Sequence, residues 1–349
     1  MALNEDLLRR LIETPGVPGR EEQQREIARE ELGNLTDEVR TDNLGSVIGT
    51  KGGRDDVRVM VAAHTDEIGF LVKHIDDKGF LRLQTLGGHD PANMVSQRVI
   101  VTTSDGTALR GALQPARKPP HLSKGQEQKP PTPAEFYVDL GIGADEVKEK
   151  VRVGDYATMD RTLEKVGNCY MGKAMDDRIG VYVMLEALRA LGDHEATVYA
   201  VATSQEEVGL RGAEASGRAL APTVVVALDI TLAMDVPGGG GENEITALGK
   251  GAAIKIMDGH SISHPKLVDH LREIAEREKI PYQMEILPAG GTDAGGVQKL
   301  HGGVPAVTIS IPCRYVHTPN EMVDEGDVRA CVDLLARYLE EAHTGDYSL

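Results

Sequence analysis

Five short segments of this chain place imidazoles or carboxylates next to apolar runs. His64 and Asp66 follow Val57-Arg-Val-Met-Val-Ala-Ala63, and Glu206 and Glu207 follow Thr197–Thr203. Asp229 ends the run Thr223–Leu228, and His317 comes shortly after a run that closes at Ile311. Asp176 and Asp177 open a stretch with helical spacing. In open α/β sheets the C-terminal edge of the strands is where ligands bind. Several carboxylates at one place are costly unless cations neutralise them. Imidazoles mixed with carboxylates suit Zn²⁺, Co²⁺ or Mn²⁺ better than Mg²⁺. The set holds more carboxylates than one tetrahedral ion can use, which predicts two divalent ions per subunit, about 3.5–4 Å apart, sharing one carboxylate. Each segment alone is ordinary, since a lone His after a strand or a Glu-Glu pair is usually structural or solvated. Their joint placement carries the reading.

The elements that must position these groups follow from periodicity. Helices are expected over Leu3–Glu13, Glu21–Leu32, Asp177–Leu191, Leu210–Arg218, Pro265–Glu278 and Glu325–Ala342. Strands are expected near Ser46–Gly49, Val57–Ala63, Thr197–Thr203, Thr223–Leu228, Gln283–Leu287 and Ala306–Ile311. This alternation implies an α/β fold with a mixed, largely parallel sheet flanked by helices. From Ile68 to about Asp160 the texture changes to short strand-like runs separated by turns such as Asp76-Asp77-Lys78-Gly79. We read an inserted all-β domain over 68–162, with 1–67 and 163–349 as the two parts of the catalytic domain. Pro115–Pro133, rich in Pro, Lys and Gln, reads as a long exposed loop. Gly238–Gly241 lacks the strand–turn–helix context of a phosphate loop. Gly291, Thr292 and Asp293, within Gly290-Gly-Thr-Asp-Ala-Gly295, suit a cleft where backbone approaches substrate. Arg314 is a candidate for either structural pairing or substrate contact.

Composition excludes several classes. A chain of 349 residues holds two units, or one large domain with an insertion. Thirty-eight Lys and Arg against 55 Asp and Glu leave a formal charge of −17, which argues against nucleic acid and anionic membrane as partners. Aromatics are 3% with no Trp, thin for a carbohydrate- or base-stacking surface. Three cysteines make no disulfide framework and fit a reducing cytoplasm. The N-terminus is amphipathic and charged, unlike a signal peptide, and no run approaches the roughly 20 apolar residues of a membrane span.

Six segments then occur in a telling order: Ala63-His-Thr-Asp-Glu-Ile-Gly-Phe70, Gly172-Lys-Ala-Met-Asp-Asp-Arg178, Ser204-Gln-Glu-Glu-Val-Gly209, Leu228-Asp229, Gly290-Gly-Thr-Asp-Ala-Gly295 and Arg314-Tyr-Val-His-Thr-Pro319. Together they resemble the glutamyl and tetrahedral (TET) aminopeptidases, a family of dinuclear metallopeptidases, over nearly the whole chain. The resemblance implies that His64, Asp176, Glu207, Asp229 and His317 are metal ligands, with Asp176 bridging. It implies that Asp66 orients His64 and that Glu206 is the general base taking a proton from the activated water. It further implies a PDZ-like character for the inserted domain, dimers joined through it, and six dimers forming a hollow tetrahedral dodecamer acting on short peptides. Three rival readings stay open: an endoglucanase-type glycoside hydrolase, a label some family members have carried; a related metal-dependent deacylase or carboxypeptidase; and a non-catalytic assembly protein.

Overall fold

The computed structural model describes residues 3–54, 56–118, 121 and 130–349, so most of the expected Pro115–Pro133 loop lies outside the described residues. The centre of the main sheet is four parallel strands, in spatial order Thr197–Thr203, Arg58–His64, Val224–Leu232 and Ala306–Arg314. Val59, Val61 and Ala63 face one side, while Met60 and Ala62 face the other. That alternation needs apolar cover on both faces. The long helices Met175–Ala190 and Glu325–Glu341, with Glu5–Glu13 and Pro265–Glu278, cover the first side. Arg211–Leu220 and Asp293–Val297 cover the second.

The sheet is mixed rather than largely parallel. Val47–Lys51 and Glu38–Thr41 extend one margin antiparallel. Glu321–Asp324, Cys169–Gly172 and Glu164–Val166 extend the other, also antiparallel. Short connections explain the pairs adjacent in sequence, because a strand returning through a two-residue turn such as Gly167-Asn168 can only pair antiparallel. Ala252–Met257 branches from Ala306–Arg314 antiparallel and carries Tyr282–Ile286 beside it.

Between Gly69 and Met159 the chain forms a separate closed barrel of six strands with its own core of Phe70, Val72, Val99, Leu113, Phe136 and Val138. The insertion is not purely strands. The helix Ala144–Lys150 follows the strand Phe136–Asp139, and its Val147 is buried in the barrel core. The expectation missed it because a single apolar residue on a seven-residue charged segment gives no readable period. Among the described residues no helix is long and apolar enough to cross a membrane.

A buried ionic knot ties the N-terminal segment, the barrel junction and the central helix together. Lys173 Nζ lies 2.6 and 2.8 Å from the two carboxylate oxygens of Glu67, at the entry to the barrel. Arg178, fully buried, donates to the carbonyls of Leu11, Thr14 and Gly16 and lies 3.5 Å from the same carboxylate. Removing one member of a buried ion pair strands the other, at a cost of about 3–5 kcal/mol. Glu67→Ala should destabilise the fold by an amount of that order, read as a lower urea midpoint of unfolding. A midpoint equal to wild type would show that the knot is dispensable.

Candidate functional site

The parallel strands end at one edge, and there the titratable groups meet. Donor atoms of His64, Asp176 and Asp229 lie within 4.8 Å of one another, and so do those of Asp176, Glu207 and His317. Asp176 belongs to both groups. Its Oδ1 is 3.0 Å from His64 Nε2, and its Oδ2 is 3.2 Å from His317 Nε2. Glu207 Oε1 lies 3.6 Å from His317 Nε2, and Glu206 Oε2 lies 3.8 Å from His64 Nε2. Each group offers one imidazole nitrogen and carboxylate oxygens, the donor set of a Zn²⁺, Co²⁺ or Mn²⁺ site. Glu207 Oε1 is buried with no hydrogen-bond partner, so the residues fit cation binding.

Every one of these residues except Asp229 has its backbone N–H held by a second carboxylate. Asp66 Oδ1 accepts from Glu206 N at 3.0 Å, and Asp66 Oδ2 from Glu207 N at 3.1 Å. Asp177 Oδ2 accepts from His64 N at 3.2 Å. Glu321 accepts from Asp176 N at 3.1 Å and from His317 N at 2.8 Å. Asp66 was expected to orient His64 through its carboxylate. Instead its backbone carbonyl lies nearest to His64 Nδ1, at 3.0 Å, with the carboxylate at 3.6 Å. Glu206 and Glu207 do not continue the preceding strand. Gln205 turns the chain at φ +57°, and Glu206 O accepts from Gly209 N and Leu210 N. The turn sends the two carboxylates to different imidazoles.

Asp177 and Glu321 carried no assigned role in the sequence. Asp177 was visible only as half of an Asp-Asp pair. Glu321, four residues after His317, gave no signal of its own, since its work is done on backbone N–H groups.

Burial, reinforced by neighbouring carboxylates, pushes the Glu206, Glu207 and Asp229 carboxyls well above their usual range. Burial alone would also raise Asp176, but hydrogen bonds to His317 and His64 hold it below the ordinary value. Burial lowers His64 and His317, yet the surrounding carboxylates prevail. They lift His64 well above the ordinary imidazole and His317 to about 10.

A cavity of about 480 Å³ opens onto this cluster. Glu206, Asp229, His317, Gly291 and Thr292 line it, together with Lys255. Asp293 is turned into the protein instead, accepting from Thr203 Oγ1 at 2.5 Å. Thr292 shares a hydroxyl contact of 2.8 Å with Thr308. Lys255 is fully buried and lies 2.9 Å from Glu285. It went unnoticed because a lysine inside Ala252–Met257 interrupts an otherwise apolar strand. Arg314 is a structural residue: its guanidinium makes two contacts, 2.9 and 2.6 Å, with Asp235.

The profile of the family described as M42 glutamyl aminopeptidase matches residues 45–334. The lysyl aminopeptidase of Pyrococcus furiosus is 37% identical over 98% of this chain and 99% of its own. Aminopeptidase APDkam598 from the archaeon Desulfurococcus kamchatkensis superposes with a TM-score of 0.92 at 42% identity, covering 96% of this chain and 94% of that one. The Pyrococcus horikoshii TET1 peptidase, which can assemble into a tetrahedron or a large octahedral shell, superposes at 0.87 with 30% identity. That match covers 97% of this chain and 99% of the peptidase.

The raised carboxyls give the metal-free protein a pH signature. Burial lifts Glu321 and Glu21 from 4.5 to about 8. The folded chain therefore holds protons that the unfolded chain releases. That stability is complete below about pH 4.5 and is lost as pH rises through about 8. His64 and His317, also raised, act in the same direction. Chelator-treated protein should melt at a lower temperature at pH 8 than at pH 5, and added Co²⁺ should close the gap. A melting temperature that climbs with pH across that window would contradict this account.

Proposed function

This chain belongs to the M42 glutamyl aminopeptidase family, and from that premise we propose that it is a two-metal aminopeptidase that removes N-terminal residues from short peptides. One observation carries the reading. Asp176 presents its two oxygens to His64 and His317, and Glu206 stands beside that bridge in the wall of a large cavity. In the proposal His64, Asp176 and Asp229 hold one divalent cation, and Asp176, Glu207 and His317 hold the other. When bound, the cations supply Lewis acidity, lowering the pKa of a water and polarising the scissile carbonyl.

The chain's own groups do the rest. Glu206, with no ligand duty, takes the proton from the attacking water and passes it to the departing amine. A carboxylate placed there can hold the proton until the amine departs. The acidic end of the cavity attracts the positively charged α-amino group of a peptide, so the bond cleaved is the one next to a free N-terminus. Gly291 and Thr292 offer the cavity wall along which the substrate lies. Residues 1–67 and 163–349 form the catalytic unit, and 68–162 the inserted, PDZ-like unit. By analogy with the tetrahedral and octahedral shells of the Pyrococcus horikoshii peptidase, the chain is proposed to form dimers through this insert, and dodecamers from six dimers.

The two adjacent glutamates separate the roles. Glu206→Gln should retain its metal and lose about 10²–10⁴-fold in turnover of a peptide with a free N-terminus. Glu207→Gln should instead lose occupancy of one metal site, with partial rescue by excess metal. Elemental analysis and turnover on both variants decide it, and wild-type turnover in Glu206→Gln would refute its role as base. Equal cleavage of N-blocked and free peptides would refute the aminopeptidase reading. For assembly, sedimentation at micromolar concentration with metal present should show species larger than the monomer, and monomer alone would reject self-association.

A further inference from the structure

The barrel borders the site. After the strand Leu81–Leu86 the chain makes the turn Gly87-Gly88-His89-Asp90. Gly87 has φ +76°, and a Cβ built there would stand 2.5 Å from Ile68 Cγ2 and 2.9 Å from Glu207 Oε2. A Cβ on Gly88 would stand 3.1 Å from His317 Nδ1 and 3.3 Å from His317 Cε1, with no other neighbour within 4 Å among the described residues. The turn's backbone is thus packed against Glu207 and His317. These two residues share a cluster with Asp176 and come from distant parts of the chain.

The turn is itself held firmly. His89 Nε2 lies 3.1 Å from Gly69 O and 3.2 Å from Leu86 O, and its ring stacks on Phe70 at 4.6 Å. Asp90 caps the short helix Pro91–Met94, accepting from Ala92 N at 2.8 Å, and Met94 is buried in the barrel core. Both ends of the Gly-Gly pair are therefore fixed to the barrel rather than to the main sheet. Glu207 and His317 need such a wall. Glu207 Oε1 is buried without a hydrogen-bond partner, and His317 is the ligand candidate with the greatest exposure, at 36%.

We propose that the Gly87–Gly88 turn of the inserted barrel positions His317 and Glu207, and so sets the affinity of one of the two metal clusters without touching the other. This rests on the metallopeptidase reading above. His64 and Asp229 stand on strands of the main sheet, and His64 meets the shared Asp176 at its other oxygen. The barrel is then a wall of half the metal site in addition to any part it has in assembly. Only glycine lets backbone stand this close to a ligand, since even a methyl group must move the imidazole by a few tenths of an ångström. Supports of this kind around metal ligands typically change affinity about 10–100-fold when altered.

Gly88→Ala tests this cleanly. Gly88 does not sit in the left-handed region, and among the described residues its methyl would meet only His317. Gly141→Ala, at φ +68° in the same insert with none of the described residues within 4 Å, controls for general damage to that domain. In the metal-free protein, the imidazole ¹H–¹⁵N signals of His317, assigned with His317→Gln, should move in Gly88→Ala while those of His64 stay. In a Co²⁺ titration one binding event should weaken about 10–100-fold and the other hold within about twofold. Any fall in melting temperature should vanish when His317→Ala is added. Unmoved His317 signals, or equal weakening of both binding events, would overturn the proposal. If wild-type protein takes up no Co²⁺, the metallopeptidase reading falls, and the metal-free spectra still decide whether the turn seats His317.

Discussion

Burying so many carboxyl groups at one sheet edge is the constraint to which the rest of the molecule answers. Asp66, Asp176, Asp177, Asp229, Asp293 and Glu321 are all nearly inaccessible to water. Two like charges about 4 Å apart repel by about 4 kcal/mol at an effective dielectric near 20. The structure meets that repulsion with donors rather than distance. Asp66 accepts from two backbone N–H groups, Asp177 from two and Glu321 from two. Each of these carboxylates also joins segments far apart in sequence. The repulsive cluster is therefore cross-braced by the groups that create it, and the remaining carboxylate oxygens are left facing one another for cations to fill.

Backbone strain collects around the same place. Ala174 precedes Asp176 at φ +54°, Gln205 precedes Glu206 at φ +57°, and Tyr315 and His317 stand at +62° and +59°. Left-handed conformations cost roughly 1–2 kcal/mol for residues bearing a Cβ. They persist where surrounding structure determines them many times over. Here each strained residue sits in a segment that delivers a metal-ligand candidate, and each such segment is pinned by Asp66, Asp177 or Glu321. Strain and bracing are two sides of one device: chain reversals at strand ends aim side chains into a space that regular strand geometry would not reach.

This division explains what could be read from the residues alone. His64, Glu207 and Asp229 were legible because they follow apolar runs, a pattern of types along a line. The M42 family was legible from six segments in order. The bracing was not. Glu321 acts on Asp176 across 145 positions, and Asp177 acts on His64 across 113, both through backbone donors that carry no residue identity. The antiparallel margins of the sheet were not legible because they depend on connection length and on pairing between distant segments rather than on periodicity. Lys255 escaped because a charge in a strand reads as surface until its partner, Glu285, is known to lie beside it.

The start of the helix Met175–Ala190 shows how local sequence serves the wider constraint. Asp176 and Asp177 have non-helical backbone, so the regular helix begins just beyond them. Its unsatisfied N–H groups and positive dipole end face the carboxylates, which favours negative charge there. Asp177 Oδ1 accepts from Gly180 N at 3.1 Å, leaving Oδ2 for His64 N. A Cβ on residue 180 would lie 2.3 Å from Asp177 Oδ1, so only glycine lets the carboxylate fold back onto the turn. With Asp177 turned inward, Asp176 is free to point the opposite way, toward His64 and His317. One missing methyl group in the helix thus separates two adjacent aspartates into a brace and a bridge, a separation that their identical chemistry could not produce.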